Sequence, residues 1–170
     1  MKNTRKFAAM MAALTLSACS IAPMISSAAP ASAGHVITIA NSDKANHTYE
    51  AYQIFSGTYN AGGTGNAGSL TNIQWGTGVN GDNIITDLKK DATLGTLFEN
   101  CTSAQDVADV LDSKTTDSVT NDEIKVFEDD SNLTQAFAKV VGRNLTDVTS
   151  GTYSNGTITG LADGYYLVQD

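Results

Sequence analysis

The sequence is poor in the side chains that most often bind metals or carry out catalysis. Among its 170 residues there are two cysteines and two histidines, and they form neither a His-x-x-x-His nor a Cys-x-x-Cys motif. The ligand spacing of a zinc site is therefore missing. No Gly-x-Ser-x-Gly motif occurs, and Cys101 has no histidine near it in sequence. We therefore expect no enzymatic turnover, no metal and no cofactor.

Basic residues are also scarce, with 10 Lys and Arg against 18 Asp and Glu and a net charge of −8. A nucleic-acid partner requires a basic face, so this composition argues against one. The glycine-rich segment Asn60–Gly68 lacks the Gly-Lys-Ser/Thr ending of a phosphate-binding loop. The sequence thus favours an acidic exterior protein that binds neither nucleotides nor nucleic acid.

Residues 1–33 are predicted to be a secretory signal peptide. Basic residues in the first six positions precede an apolar run from Phe7 to Ala18, and an Ala-Ser-Ala sequence places the cleavage between Ala33 and Gly34. The run has about 12 residues, fewer than the roughly 20 of a membrane-spanning helix. We expect no transmembrane segment in the mature chain 34–170, which would carry seven basic and eighteen acidic residues.

A second interpretation of the leader is that of a bacterial lipoprotein. The stretch "LSAC" ends at Cys19 and matches the pattern at which lipoproteins are cleaved and lipidated. The following segment is apolar and runs into the site at Ala33, whereas a lipoprotein usually continues into a polar tether. We favour cleavage after Ala33 and keep lipidation at Cys19 as the alternative. Cys101 alone would remain after residue 33, which excludes an internal disulfide.

Alternating apolar residues predict strands near the start of the mature chain. They lie in the stretches "HVITIANS", "HTYEAYQIFSGTY" and "SLTNIQWG". The turn-like residues Asp43–Asn46 lie between the first two strands, and we expect those strands to pair as a hairpin.

The middle of the chain has the spacing of helices. One is predicted to begin with Asp82 as its N-cap, and a weaker one covers Thr93–Glu99. Ser103 followed by Asp106 predicts a capping box. A last helix covers Leu133–Val141, with Gly142 near its end.

The final residues return to β-structure. Asn155-Gly156 predicts a hairpin turn, and "GYYLVQD" predicts a last strand. The fold class is therefore α+β and mainly β, with helices inserted between strands.

The stretches "HTYEAYQIFSG" and "ITGLADGYYLVQD", with the segments between them in matching order, resemble the N-terminal domain of Gram-positive backbone pilins. These are sortase-assembled, isopeptide-forming fimbrial subunits, and the resemblance covers Ile37–Asp170. It implies an Ig-like β-sandwich with a helical insertion, exported to the cell wall as a structural subunit that contributes to adhesion. The implied partners are a sortase, other pilin subunits, and a host or neighbouring cell surface.

The resemblance also implies positions for an internal Lys–Asn or Lys–Asp amide. In related collagen-adhesin B-type domains the acid follows a Gly-x-Tyr-x-Leu pattern, and Gly164, Tyr166, Val168 and Asp170 fall at the same offsets. Asp170 matches the acid, and Lys44 is the amine nearest the expected position. The partner asparagine would lie on a later strand, so we expect no amide within these residues.

Two hallmarks of the pilin family, a Pro-Lys acceptor motif and a Leu-Pro-x-Thr-Gly signal, do not occur in the 170 residues. The resemblance then implies a domain that is incomplete at its C-terminus, with an exposed edge on the last strand.

A second functional hypothesis is a surface adhesin or lipoprotein that binds carbohydrate or a host protein. Exposed aromatic rings would stack on sugars, and the candidates are Tyr49, Tyr52, Trp75, Tyr165 and Tyr166. Adjacent residues of a strand face opposite sides, so we expect either Tyr165 or Tyr166 to lie in the core.

Overall fold

The structure, a computed structural model, describes residues 34–40, 47–61, 68–116, 123–128 and 131–170. Within these ranges the chain forms eight strands and four helices in antiparallel sheets and a helical layer. The strands are β1 His35–Thr38, β2 Glu50–Asn60, β3 Ser69–Trp75, β4 Lys114–Thr116, β5 Glu123–Lys125, β6 Thr152–Ser154, β7 Thr157–Leu161 and β8 Gly164–Gln169. The helices are α1 Gly81–Lys90, α2 Gly95–Phe98, α3 Ala104–Leu111 and α4 Asn132–Arg143. The prediction that the chain combines antiparallel strands with helices is confirmed.

The longest strand, β2, is the centre of a three-stranded sheet in the order β3-β2-β8. Its register pairs Glu50 with Gln169 at one end of β8 and Ser56 with Gly164 at the other. Residues 51–55 of β2 are all buried, although strict alternation would expose every second one. This continuous burial shows that both faces of the middle sheet are covered.

The predicted hairpin between the first two strands is wrong. β1 pairs antiparallel with β7 in a separate sheet of order β1-β7-β6, while β2 pairs with β3 and β8. The turn predicted at Asp43–Asn46 lies outside the described residues. β2 already pairs with a strand on each side in its own sheet, so it has no free edge for β1. β1 pairs in the second sheet and buries Ile37 there.

Two hydrophobic clusters cover the two faces of the middle sheet. The smaller joins both sheets and contains Ile37, Ala51, Ile158, Leu161, Tyr166 and Val168. The larger joins Ile54, Phe55, Ile73 and Leu167 of the middle sheet to the helices. The described residues are therefore arranged in three layers: a small sheet, the middle sheet and the helices.

Three of the four described helices, α1, α3 and α4, begin at a side chain that accepts from a backbone N–H group of the first turn. Ser103 and Asp106 form the predicted capping box, with Ser103 accepting from the Asp106 N–H group at 3.2 Å. α1 begins two residues earlier than predicted, because its N-cap is Asn80, whose side chain accepts from the Asn83 N–H group at 3.2 Å. Asp82 lies instead in the first turn of α1, where its negative charge interacts favourably with the positive end of the helix dipole.

The end of α4 is fixed by Asn144 rather than by Gly142, which is a helical residue. The Asn144 side chain is buried and donates to the Asp87 carboxylate at 2.9 Å and to the Val140 carbonyl at 3.0 Å. This amide joins α4 to α1.

The sequence pattern did not predict the short β4–β5 ribbon that follows α3.

Phe98 is the centre of the helical layer, fully buried and in ring contact with Phe127 and Phe137. Replacing Phe98 with Ala should lower the free energy of unfolding by about 3–5 kcal/mol, because the ring leaves a cavity. Urea denaturation measures this change. The matched control is Leu97→Ala in the same short helix, where the side chain is 39% exposed and the expected loss is below about 1 kcal/mol. Equal losses for the two variants would contradict this packing.

Candidate functional site

The strand β8 is bordered by two aspartates, and each is paired with one of the two histidines in the sequence. Asp163 precedes the strand and contacts His35, while Asp170 follows it and contacts His47. Six extended residues cover about 20 Å, so the two pairs mark opposite ends of β8. We refer to them as the two histidine–aspartate pairs.

The first pair holds the start of β1 against the turn between β7 and β8. His35 Nε2 lies 2.6 Å from Asp163 Oδ1, and the Tyr59 N–H group donates to Asp163 Oδ2 at 3.3 Å. The Tyr59 ring meets the imidazole edge to face at 6.0 Å. The hydrogen bond from His35 lowers the pKa of the Asp163 carboxyl; burial opposes this, and the Tyr59 N–H group adds to it. Asp163 is thus held as a carboxylate that joins β1 to β2.

The second pair holds the approach to β2 against the end of β8. His47 Nδ1 lies 2.6 Å from Asp170 Oδ2. The imidazole stacks on Tyr49 at 5.7 Å, and Tyr49 in turn meets Tyr153 of β6 edge to face at 5.4 Å. This end of β8 is therefore connected to the small sheet through aromatic contacts.

A buried polar network links the middle sheet to the same turn. Gln53 is 9% exposed, and its amide Nε2 donates to the Asp163 carbonyl at 3.0 Å and to the Tyr166 hydroxyl at 3.3 Å. The Tyr166 hydroxyl donates to the Ala162 carbonyl at 2.9 Å. Burial raises the pKa of Tyr166, so the hydroxyl remains a donor at neutral pH. Gly164 allows β8 to lie this close to β2, since a side chain at position 164 would collide with the Phe55 carbonyl oxygen.

Among the site residues predicted from sequence, the structure describes two. Gly34 lies beside Gly160, close to the Asp163 end of β8. Asp170 has a 39% exposed side chain and is paired with His47. Ala33, Cys19 and Lys44 lie outside the described residues. The assignments of Asp170 as the isopeptide acid and Lys44 as its amine, the cleavage after Ala33 and the lipidation of Cys19 therefore stay predictions.

The five aromatic residues predicted to stack on sugars have different environments. Tyr52 and Tyr166 are buried, and Trp75 is half-buried against Phe55 at 5.2 Å. Tyr49 is half-buried in the stack with His47, and Tyr165 is 44% exposed. The prediction that one of the adjacent tyrosines lies in the core is confirmed. An extended aromatic platform is not formed by these five residues.

Cys101 is buried at 3% exposure, as expected of a small core residue. Burial raises the pKa of its thiol, and the nearby charge of Asp106 raises it further. The thiol is therefore held protonated, which is unfavourable for a nucleophile.

No group of three or more His, Cys, Asp or Glu side chains is placed to hold a metal ion in the described ranges. Within the same ranges, no helix has the length and apolar character needed to cross a membrane.

The histidine–aspartate pairs were missed by sequence reasoning, which found no metal-binding or catalytic spacing for either histidine. The contacts join residues 128 and 123 positions apart, so no local spacing indicates them.

Comparison with protein-family models, curated proteins and solved structures finds no match for the chain.

The Tyr166 hydroxyl offers a direct measure of the buried network. Replacing Tyr166 with Phe should lower the free energy of unfolding by about 1–3 kcal/mol, because Gln53 and the Ala162 carbonyl each lose a partner. Tyr165→Phe on the neighbouring, exposed side chain is the control and should change stability by less than about 0.5 kcal/mol. Thermal or urea unfolding measures the difference in stability between the two variants. A Tyr166→Phe variant as stable as the control would exclude a stabilising role for this network.

Proposed function

We propose that the protein is a non-catalytic structural subunit of a sortase-assembled fimbria on the surface of a Gram-positive bacterium, contributing to adhesion. Two things support the proposal: the resemblance of the two ends of the mature chain to pilin N-terminal domains, and the positions of those ends in the fold. The layered arrangement of two antiparallel sheets, with helices on one of them, agrees with a pilin β-sandwich carrying a helical insertion.

The observation that carries the proposal is the separation of residues 34 and 170 along β8. Gly34 lies beside Gly160, near the turn that contains Asp163, while Asp170 follows β8 at its other end. The distance along the strand is about 20 Å, and the distance between packed sheets is about 10 Å. A force between residues 34 and 170 would therefore act mainly along the strands.

This direction suits a subunit that bears load in a linear assembly. The hydrogen bonds of an antiparallel pair lie perpendicular to the strands, so a force along the strands is shared by many bonds at once. β8 would slide against β2 over the register from Glu50–Gln169 to Ser56–Gly164. β1 would slide against β7, with which it pairs from His35–Leu161 to Thr38–Thr157.

The proposed partners are the molecules that assembly of a fimbria requires. Other fimbrial subunits would join end to end through a sortase, and the fibre would contact a host or neighbouring cell. The acidic surface suits an exported protein, since residues 34–170 hold all eighteen acidic residues and seven of the ten basic ones. The core would supply stability without a disulfide, because Cys101 is the single cysteine in those residues.

The proposal is tested in the source organism with antiserum raised against residues 34–170. Cell-wall extracts boiled in detergent should contain a ladder of covalent polymers, and deletion of the sortase gene should reduce the ladder to one monomeric species. A monomer in the culture medium, unaffected by loss of the sortase, would contradict the proposal.

The same fractions distinguish the lipoprotein alternative. A lipoprotein would be one species in the membrane fraction, released by Cys19→Ala and not by the matched substitution Cys101→Ala. Under our proposal, Cys19→Ala leaves the ladder intact.

A further inference from the structure

The small sheet, which consists of β1, β7 and β6, differs in charge from the rest of the mature chain. Its three strands contain no Asp, Glu, Lys or Arg. The longer segments that carry these strands, residues 34–40 and 148–162, contain none either. All eighteen acidic residues lie elsewhere in residues 34–170. The small sheet is therefore a region without carboxylates on a strongly acidic chain.

The small sheet covers the middle sheet with one face and turns the other face to solvent. Its inner residues pack in the smaller hydrophobic cluster, and because side chains alternate along a strand, their neighbours point outward. The outward residues are uncharged, and five of the six carry a hydroxyl group: Val36, Thr38, Thr152, Ser154, Thr157 and Thr159. All of them are exposed except Thr157, which is half-buried. We refer to these six residues as the threonine face.

The residues of the threonine face form rows across the strands. Thr157 of the central strand β7 pairs with Thr38 on one side and with Ser154 on the other. Thr159, two residues further along β7, pairs with Thr152. A side chain added at Gly160, next to Thr159, would meet no heavy atom within 4 Å. The face is therefore an ordered, open surface of short side chains.

We propose that the threonine face is a weak contact surface for a second copy of this chain, packed face to face about a two-fold axis. Two acidic chains repel each other, and the repulsion is smallest where neither opposes a carboxylate to the other. A hydroxyl group both donates and accepts hydrogen bonds, so a face of this kind is complementary to itself. Self-complementarity is the requirement for a two-fold contact.

The threonine face is too small to hold a stable dimer by itself. The strands β1, β6 and β7 have four, three and five residues. At a strand spacing of about 4.8 Å they cover a footprint on the order of 200 Å². A stable interface buries about 800 Å² on each partner. We therefore expect a monomer in dilute solution and a dissociation constant on the order of 1 mM.

The orientation of the face determines where such a contact would act. The line from residue 34 to residue 170 follows β8, whereas the threonine face is directed perpendicular to the layers in which the strands lie. Joining subunits end to end would leave this face uncovered. Under the proposed function, on which this consequence rests, each fimbria repeats the face along its length. Many weak contacts between neighbouring fimbriae would then add up to a firm lateral association.

The test is an NMR dilution series of the isotopically labelled mature chain from about 0.05 to about 2 mM. For a dissociation constant of about 1 mM, the dimeric fraction rises from roughly a tenth to more than half over this range. The backbone amide signals of residues 36–38, 152–154 and 157–160 should shift with concentration, and those of the four helices should not. Shifts centred on the helices or on β8, or no shift at about 2 mM, would overturn the inference.

Three variants examine the role of charge. Thr159→Glu places a carboxylate at the centre of the face and should abolish the concentration-dependent shifts, since the two copies then repel each other. Thr159→Val keeps the branched shape without a charge and should retain the shifts, which shows that the substituted strand still folds. Thr115→Glu is the matched control, because Thr115 is an exposed strand residue of β4 outside the face. An equal loss of the shifts in Thr159→Glu and Thr115→Glu would contradict the proposed contact.

A glycan is the alternative occupant of the face, and the same spectra distinguish it. Shifts of the threonine face on addition of purified Gram-positive cell-wall polysaccharide, without any on raising the protein concentration, would overturn self-association. The measurement in solution is independent of the cell-wall ladder, so this inference and the proposed function can fail separately.

Discussion

Burial of β2 on both faces is the constraint on which the rest of the structure depends. Its residues 51–55 are covered by the small sheet on one side and by the helices on the other. A strand covered in this way has no exposed face for polar side chains, so every polar group in it requires a partner. Gln53 meets this requirement through the Asp163 carbonyl and the Tyr166 hydroxyl. The same contacts fix the turn that leads into β8.

Features that depend on neighbouring residues could be predicted from sequence. The capping box at Ser103 and the hairpin turn at Asn155-Gly156 depend on residues within one turn, and the structure contains both. Asn155 and Gly156 each have positive φ, the backbone conformation that such a turn requires. The opposite environments of Tyr165 and Tyr166 follow from the alternation of a strand and were likewise predictable.

Features that depend on distant residues were missed. The pairing of β1 with β7 joins residues more than a hundred positions apart, and the pattern of β1 is equally compatible with a hairpin to β2. The histidine–aspartate pairs are of the same kind, because a single histidine near a strand indicates no particular partner. The burial of Tyr52 could not be inferred either, since Tyr52 lies opposite Leu167 on the face of β2 that the distant helices cover.

These long-range contacts give β1 and β8 a defined place in the fold. β1 and β8 are the first and last described strands, and they lie in different sheets that share one core. The histidine–aspartate pairs join both strands to the body of the protein at opposite ends of β8. Packing, strand pairing and the two histidine–aspartate pairs thus hold β1 and β8 in the fold.

Force spectroscopy tests the central claim most directly, that the fold resists extension along β8. One form carries handles ahead of Gly34 and after Asp170, and a second carries them at Glu50→Cys and after Asp170, both with Cys101→Ala. Since Glu50 is adjacent to Gln169 in the register, the second geometry separates β8 from β2 one pair at a time. The account predicts an unfolding force several-fold higher between the chain ends than in the second geometry. Equal forces in the two geometries would contradict it.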